Sequence, residues 1–348
     1  MRRLLAVLAP VILALVAVGC GDTVEVRESN LSARPAAAGT TTAPHPSETV
    51  RRPGAPTGKV RIAVVTHGQA SDPFWSIVRT GINQAAHQLN ASVTYSAPDT
   101  YDVGRMRQLI ADAVAKKPDG LVVTIPDPRG LGSAIRAAVR TGIPVVSINA
   151  GTDVSRRLGV LVHIGQPDAQ AGRQAGERFA KSGVRHALCV NQEVGNKSLD
   201  QRCAGFAAAM KKAGGSSTVV DVNLQDPAGA ERRIVGSLGG EVDGIMALGP
   251  TGAAPALDAL RSRDLVGKVK LATFDLSPDV ITAVRRGQIE FAVDQQPFLQ
   301  GYLPILFLTQ YQRYGLLPDR GRIVSTGPSF VTRGNADAVG RLADQEIR

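Results

Sequence analysis

The chain has 348 residues, a formal charge of +10 at pH 7, 43% hydrophobic residues and only 4% aromatic ones. Its Lys and Arg residues are scattered rather than run together, which argues against a nucleic-acid footprint and for a solvated basic surface near an anionic membrane. Its five His and three Cys show no metal-ligand spacing, so neither a metal nor a cofactor is expected.

Residues 1–20, "MRRLLAVLAPVILALVAVGC", begin with Arg2 and Arg3, continue as an apolar run broken by Pro10, and end at Cys20. That is the pattern of an export signal, short for an anchor helix. Its end, "AVGC", resembles a bacterial lipoprotein box in which cleavage precedes a lipid-bearing Cys20, although Ala17 stands where Leu is usual. The other reading is a signal cut elsewhere, with Cys20 incidental. Residues 21–58 are rich in Ala, Thr, Pro, Ser and Arg and hold hardly a large apolar side chain. Such a segment cannot offset its ordering entropy, so a disordered tether with an end-to-end distance of roughly 35 Å is expected.

The remainder, about 290 residues, is long enough for two domains or one large one. Short β-branched runs alternate there with helical patterns. The first set is "VRIAVVT" at 60, "ASVTYS" at 91, "GLVVTI" at 120, "IPVVSIN" at 143 and "GVLVHIG" at 159. The second is "HALCVN" at 186, "STVVDVN" at 217, "DGIMAL" at 243, "KVKLATF" at 268 and "IEFAVD" at 289. Most lack strict alternation, which suits parallel strands covered on both faces. Apolar stripes such as Val78, Ile82, Ala85 and Leu89, or Met106, Leu109, Ala113 and Val114, mark the helices between them. The expected fold class is therefore α/β: two doubly wound parallel-sheet lobes of five strands each, with a ligand cleft between them.

Open α/β sheets bind ligands beyond the carboxyl ends of their strands. The residues standing there are Asp72 to Trp75, Pro126 and Asp127, Asn149, Gln192 to Asp200, Gly249 to Thr251, Asp275, and Asp294 to Gln296. They are mostly carboxylates, amides and aromatics, a set suited to a ligand with polar edges and weakly apolar faces, such as a sugar or polyol. Helix capping is the competing role for Asp127, Asn196 and Asp72. Phe74 and Trp75 could instead staple their own helix. No phosphate loop, nucleophile elbow or H-E-x-x-H occurs, and "GPTGAAPAL" at 249–257 lacks the Lys a phosphate loop needs. The carboxylates Asp72, Asp127, Asp200 and Asp275 are spread over many strand ends, which favours a clamp on hydroxyls over a glycosidase pair. Cys189 and Cys203 are either a disulfide, worth roughly 3 kcal/mol if unstrained, or small core residues.

Six stretches together resemble the periplasmic sugar-binding proteins of ABC transporters, ribose-binding type. They are "DPFW" at 72, "KKPDGLVVTIPDP" at 116, "GIPVVSIN" at 142, "QRCAGF" at 201, "KLATFDLSPD" at 270 and "VDQQPFLQGY" at 293, in the family's order. The resemblance covers about 59 to 335 and implies the type I periplasmic-binding-protein fold. It implies crossings near His163 to Gly165, Gln295 to Pro297 and 318 to 326. The lobes would then be 59–164 with 296–325, and 165–295 with 326–348. It further implies that Asp72 bonds ligand hydroxyls, that Phe74 and Trp75 stack on a sugar face, and that Asp275 and Gln295 are contacts, with Asn149 in place of a strand-end Asp. Departures fall at Asn149-Ala150, where the family has Asp-Arg, at Asp200 in place of an Arg, with Arg202 two residues on, and at Ile125 and Gly249. The function implied is a solute-binding lipoprotein, anchored through Cys20, that hands a sugar or polyol to an ABC permease and its ATPase. A sensory binding module feeding a chemoreceptor or histidine kinase is the alternative, and an exported glycoside-acting enzyme a third reading.

Overall fold

The computed structural model describes residues 54, 56–68, 72–318, 323–343 and 345–348. The export signal, Cys20 and nearly all of the tether lie outside the described residues, as do residues 319–322 of the third crossing.

Each of the ten apolar runs forms a strand. The first five are β1 (Val60–Val65), β2 (Ala91–Ser96), β3 (Gly120–Val123), β4 (Val145–Ile148) and β5 (Val162–Gly165). The second five are β6 (His186–Asn191), β7 (Ser216–Asp221), β8 (Gly244–Ala247), β9 (Lys270–Phe274) and β10 (Phe291–Asp294). Two further strands, β11 (Ile323–Ser325) and β12 (Ser329–Val331), add one edge to each sheet. The sheets are thus six-stranded, in the orders β2-β1-β3-β4-β5-β11 and β7-β6-β8-β9-β10-β12. This corrects the expectation of five strands per lobe: segments of three residues are too short to carry a periodic signature. All neighbours pair in parallel except β12, which runs antiparallel to β10.

The two orders are one topology used twice, each with its switch point beside its first strand, between β1 and β3 and between β6 and β8. Burial on both faces explains the unbroken apolar runs. In β1, Val60, Ile62 and Val64 join one core cluster while Ala63 and Val65 join another across the sheet. Burying each such Val or Ile contributes about 1.5–3 kcal/mol. The outer strands β2 and β7 are half solvated, as edge strands should be.

Helices follow the strands: α1 (Pro73–Gln88), α2 (Val103–Ala115), α3 (Pro128–Arg140), α4 (Asp168–Lys181), α5 (Lys197–Lys212), α6 (Pro227–Ser237), α7 (Pro250–Ser262), α8 (Pro278–Arg285), α9 (Pro297–Tyr314) and α10 (Ala336–Ala343). Three start at an Asp-Pro pair, in which Pro pre-sets the first helical φ and the Asp carboxylate accepts an otherwise unpaired N–H. Asp72 accepts from Phe74 N at 2.9 Å, Asp127 from Arg129 N at 2.9 Å and Asp226 from Gly229 N at 2.8 Å. Helices α4 and α5 pack backbone to backbone. A Cβ on Gly172 would lie 2.0 Å from Arg202 O, and one on Gly205 2.0 Å from Ala169 O, so both positions need glycine. A disulfide joins Cys189 of β6 to Cys203 of α5, 14 residues apart, and both residues are also buried in the core.

The chain passes between the sheets three times, after β5, after β10 and between β11 and β12. Hydrogen bonds lace these passages together. Thr326 N donates to Gly165 O at 3.0 Å, Gln296 Nε2 to Thr326 O at 2.7 Å, and Gln300 Nε2 to Gln295 O and Thr326 Oγ1, each at 3.1 Å.

Candidate functional site

A cavity lies where the carboxyl ends of the two sheets face each other. The loop after β1 brings His67 and Asp72 to it, and the first turn of α1 brings Phe74 and Trp75. The ends of β4, β9 and β10 add Asn149, Asp275 and Gln295. The 192–202 segment adds Gln192, Glu193, Asn196, Ser198, Leu199 and Arg202, and the start of α7 adds Gly249 and Pro250.

Three of the polar residues form a chain. Asn149 Nδ2 donates to Gln295 Oε1 at 3.3 Å, and Gln295 Nε2 donates to Asp275 Oδ1 at 2.7 Å. Asn149 and Asp275 occupy the equivalent strand of each sheet, and both take left-handed backbone conformations, φ 59° and 61°. Short polar side chains tolerate that conformation, which turns them back over the strand end. Arg202 is buried and paired. Its Nε donates to Asp168 Oδ1 at 2.8 Å, its Nη1 stands 3.9 Å from Asp275 Oδ2, and its plane lies 4.6 Å from the Phe274 ring.

The aromatic wall is buried. Trp75 meets Phe74 edge-on at 4.9 Å and His67 at 5.0 Å. A Cβ on Gly68 would fall 2.1 Å from the Trp75 indole, so the ring depends on glycine at 68. The Thr124 hydroxyl accepts the His67 backbone N–H at 3.0 Å and shares a hydrogen bond of 2.8 Å with the ring Nδ1. The other ring nitrogen, Nε2, lies 3.7 Å from Glu193 Oε2. Burial, aided by the Arg202 charge, pulls the imidazole down to about 3. His67 and Glu193 are therefore a neutral contact rather than an ion pair, and the firmer partner of Glu193 Oε2 is Asn196 Nδ2, at 2.6 Å.

Burial lifts all three cavity carboxylates. Asp72 is pushed up to about 6, against the lowering effect of the Phe74 N–H. Glu193 rises to about 7, with the Asn196 bond opposing and the Asp72 charge adding to the rise. Asp275 rises to about 7, with Arg202 and the Gln295 bond opposing and Asp72 and Asp294 adding. Near neutral pH these groups accept hydroxyl protons and exchange protons easily. Among the described residues no group of three or more His, Cys, Asp or Glu could hold a metal ion.

The cavity gathers Asp72, Phe74, Trp75, Asn149, Asp275 and Gln295, six of the residues singled out from the sequence. Asp127 and Asp200 stand outside it. The Asp127 carboxylate is spent on capping α3, and Asp200 turns outward to Lys197 Nζ at 2.7 Å. Arg202 lines the cavity instead, because positions two apart on a helix point about 200° away from each other. His67 is absent from the residues named on the sequence, although its place directly after β1 is a signal. Glu193 falls within the Gln192 to Asp200 segment expected at the ligand edge, on a loop where no periodicity marks which residue turns inward.

The domain description "Periplasmic binding protein domain" matches residues 62–315. The chain belongs to that family. This periplasmic binding protein is 25% identical over 296 residues to the xylose/arabinose-binding protein XylF of Sulfolobus acidocaldarius, covering 79% of the chain and 71% of XylF. It is 24% identical over 245 residues to the ribose import binding protein RbsB of Haemophilus influenzae, covering 68% and 80%. A carbohydrate transporter from Acidothermus cellulolyticus, solved in complex with myo-inositol, is 37% identical with a TM-score of 0.78, over 83% of this chain and 100% of that one. An ABC sugar transporter (periplasmic sugar binding protein) from Legionella pneumophila is 26% identical with a TM-score of 0.72, over 77% and 100%. The family and the type I fold expected from the sequence are those of this periplasmic binding protein, and the family implies an extracytoplasmic location.

Proposed function

We propose that the chain captures a sugar or cyclic polyol between two closing lobes and delivers it to the permease of an ABC importer, whose separate ATPase supplies the energy. The lobes are residues 59–164 with 296–325, and 165–295 with 326–348. One observation carries this reading: the carboxyl ends of both sheets contribute to a single cavity whose aromatic wall faces carboxylates and amides. Apolar pockets with a few placed polar groups are how proteins hold small ligands. Phe74 and Trp75 offer flat faces to the C–H surface of a ring, while Asp72 and Asp275 accept from its hydroxyls and Asn149 and Gln295 exchange hydrogen bonds with them. The myo-inositol complex of the relative from Acidothermus cellulolyticus adds cyclitols to the candidate ligands.

Closure is a two-state equilibrium that the ligand biases by its extra affinity for the closed form. The contacts between lobes support that reading: Lys197 N donates to Pro126 O at 2.8 Å across the cleft, and Asn196 Nδ2 reaches within 3.4 Å of His67 Nε2. Lipid on Cys20 would hold the body beside its permease. The relatives are sugar-binding and sugar-transport proteins, which favours a binder that returns its ligand unchanged.

Trp75 is the chain's single Trp, so its fluorescence reads the cavity directly. A panel of pentoses, hexoses, linear polyols and cyclitols should contain members that change this emission and raise the melting temperature. Mass spectrometry of co-purified small molecules would name the natural ligand. A panel that moves neither signal would overturn the reading.

A further inference from the structure

The charge balance of the cavity is lopsided. Its lining holds three carboxylates, on Asp72, Glu193 and Asp275, against one guanidinium, on Arg202. That guanidinium is shared, at 2.8 Å to Asp168, at 3.4 Å to Leu248 O and against the Phe274 face, and it stands 3.9 Å from Asp275 Oδ2, so it offsets one of the three only in part. The fifth titratable lining group, His67, is held neutral by its burial. Asp168, buried behind Arg202, adds a further carboxylate to this side of the balance.

A neutral polyol hydrogen-bonds to these carboxyls but leaves their charge to be offset only by proton uptake, which burial already drives in Glu193 and Asp275 near neutral pH. In a site shielded from water, unpaired charge is costly. An ammonium compensates it. The aromatic part of the lining, Phe74 and Trp75, suits a cation as well, since the faces of Trp and Phe attract ammonium groups. Two independent features, the carboxylate excess and the aromatic wall, therefore select the same chemistry. From this juxtaposition we infer that the site prefers an amine-bearing polyol, an amino sugar or aminocyclitol, over its neutral parent, and rejects ligands bearing carboxylate or phosphate. The inference rests on the sugar-or-polyol reading and narrows it.

The test is calorimetric titration of the full chain at pH 7 with matched triads. One is glucose, glucosamine and glucuronate. The other is myo-inositol, an inosamine with one hydroxyl replaced by an amine, and myo-inositol 1-phosphate. In a triad that binds, the amine should bind about tenfold more tightly than its parent and the acid about a hundredfold more weakly. An amine no tighter than its parent in either triad overturns the inference and leaves the sugar-or-polyol reading standing. So does an acid that binds as well as its parent. A complete lack of binding by both triads and by the wider panel overturns both. Glu193→Gln should shrink the amine-to-parent ratio about tenfold. Thermal melting checks that this variant folds, and an unchanged ratio in folded protein overturns the charge-balance argument.

Discussion

Gln295 sits between two residues that the repeated topology makes counterparts, accepting from Asn149 and donating to Asp275. The left-handed backbone at 275 decides which substitution tests its role. Asp275→Ala would mix lost bonding with backbone strain of about 1–2 kcal/mol, because Ala tolerates that conformation poorly. Asp275→Asn keeps the shape, removes the charge and turns one accepting oxygen into an N–H donor. It should weaken ligand binding about a hundredfold, read by Trp75 fluorescence titration, with little change in melting temperature. Gly68→Ala should displace the indole, shift ligand-free Trp75 emission and weaken binding about tenfold. At this scale the sequence was most informative where a side chain directly ends a strand, as at Asp72, Asn149, Asp275 and Gln295. It failed at Asp200 and Arg202, where the choice of inward residue depends on helix phase. A shift of two positions turns a side chain from the cavity to solvent.

Among the elements, α5 carries Arg202 and is capped by Asn196, and two devices fix it. The glycine contact with α4 sets its distance from one neighbour, and the Cys189–Cys203 bridge ties it to β6. Replacing both cysteines with serine should cost about 3 kcal/mol of stability, seen as a lower urea midpoint, with reductant having the same effect on the unaltered protein. Because Cys203 adjoins Arg202, ligand affinity should fall as well. An unchanged midpoint would show that packing alone holds the helix. The eight inner strands were legible because burial on both faces writes unbroken apolar runs, and the edge strands β2 and β7 because each still carries a β-branched run. The edge strands β11 and β12 are held by neighbours distant in sequence, and nothing local announces them.

At the level of the whole molecule, the raised carboxylates make ligand-free stability depend on pH. Asp72 near 6 and Glu193 and Asp275 near 7 stand above the unfolded values of about 4. The folded state then binds protons more tightly, so the stability these groups contribute is complete below about pH 4 and is lost as pH rises through 6 to 7. His67 and His163, both pulled down to about 3 by burial, act oppositely, but only below the unfolded histidine value of about 6.5. The melting temperature of ligand-free protein should therefore rise on going from pH 8 to about 6.5, and Glu193→Gln with Asp275→Asn should flatten that rise. For the anchor, Cys20→Ser should release the protein from membranes into the soluble fraction, with continued retention counting against lipidation. The two-lobed plan was legible from strand count and order. The meeting of the lobes across the cleft was not, since it joins a loop of one to a strand end of the other.

That meeting has a property of its own. The bond from Lys197 N to Pro126 O joins backbone to backbone, so it is indifferent to which side chains occupy either position. The cavity can be rewritten for a different guest while the clasp that shuts it stays the same. One substitution alone deletes the clasp's donor, a proline at 197. That position opens α5, where proline is welcome, and the extended backbone of Asn196, with ψ 109°, already suits a following proline. Lys197→Pro should thus leave the lobes and their contacts with the guest intact, and speed its escape.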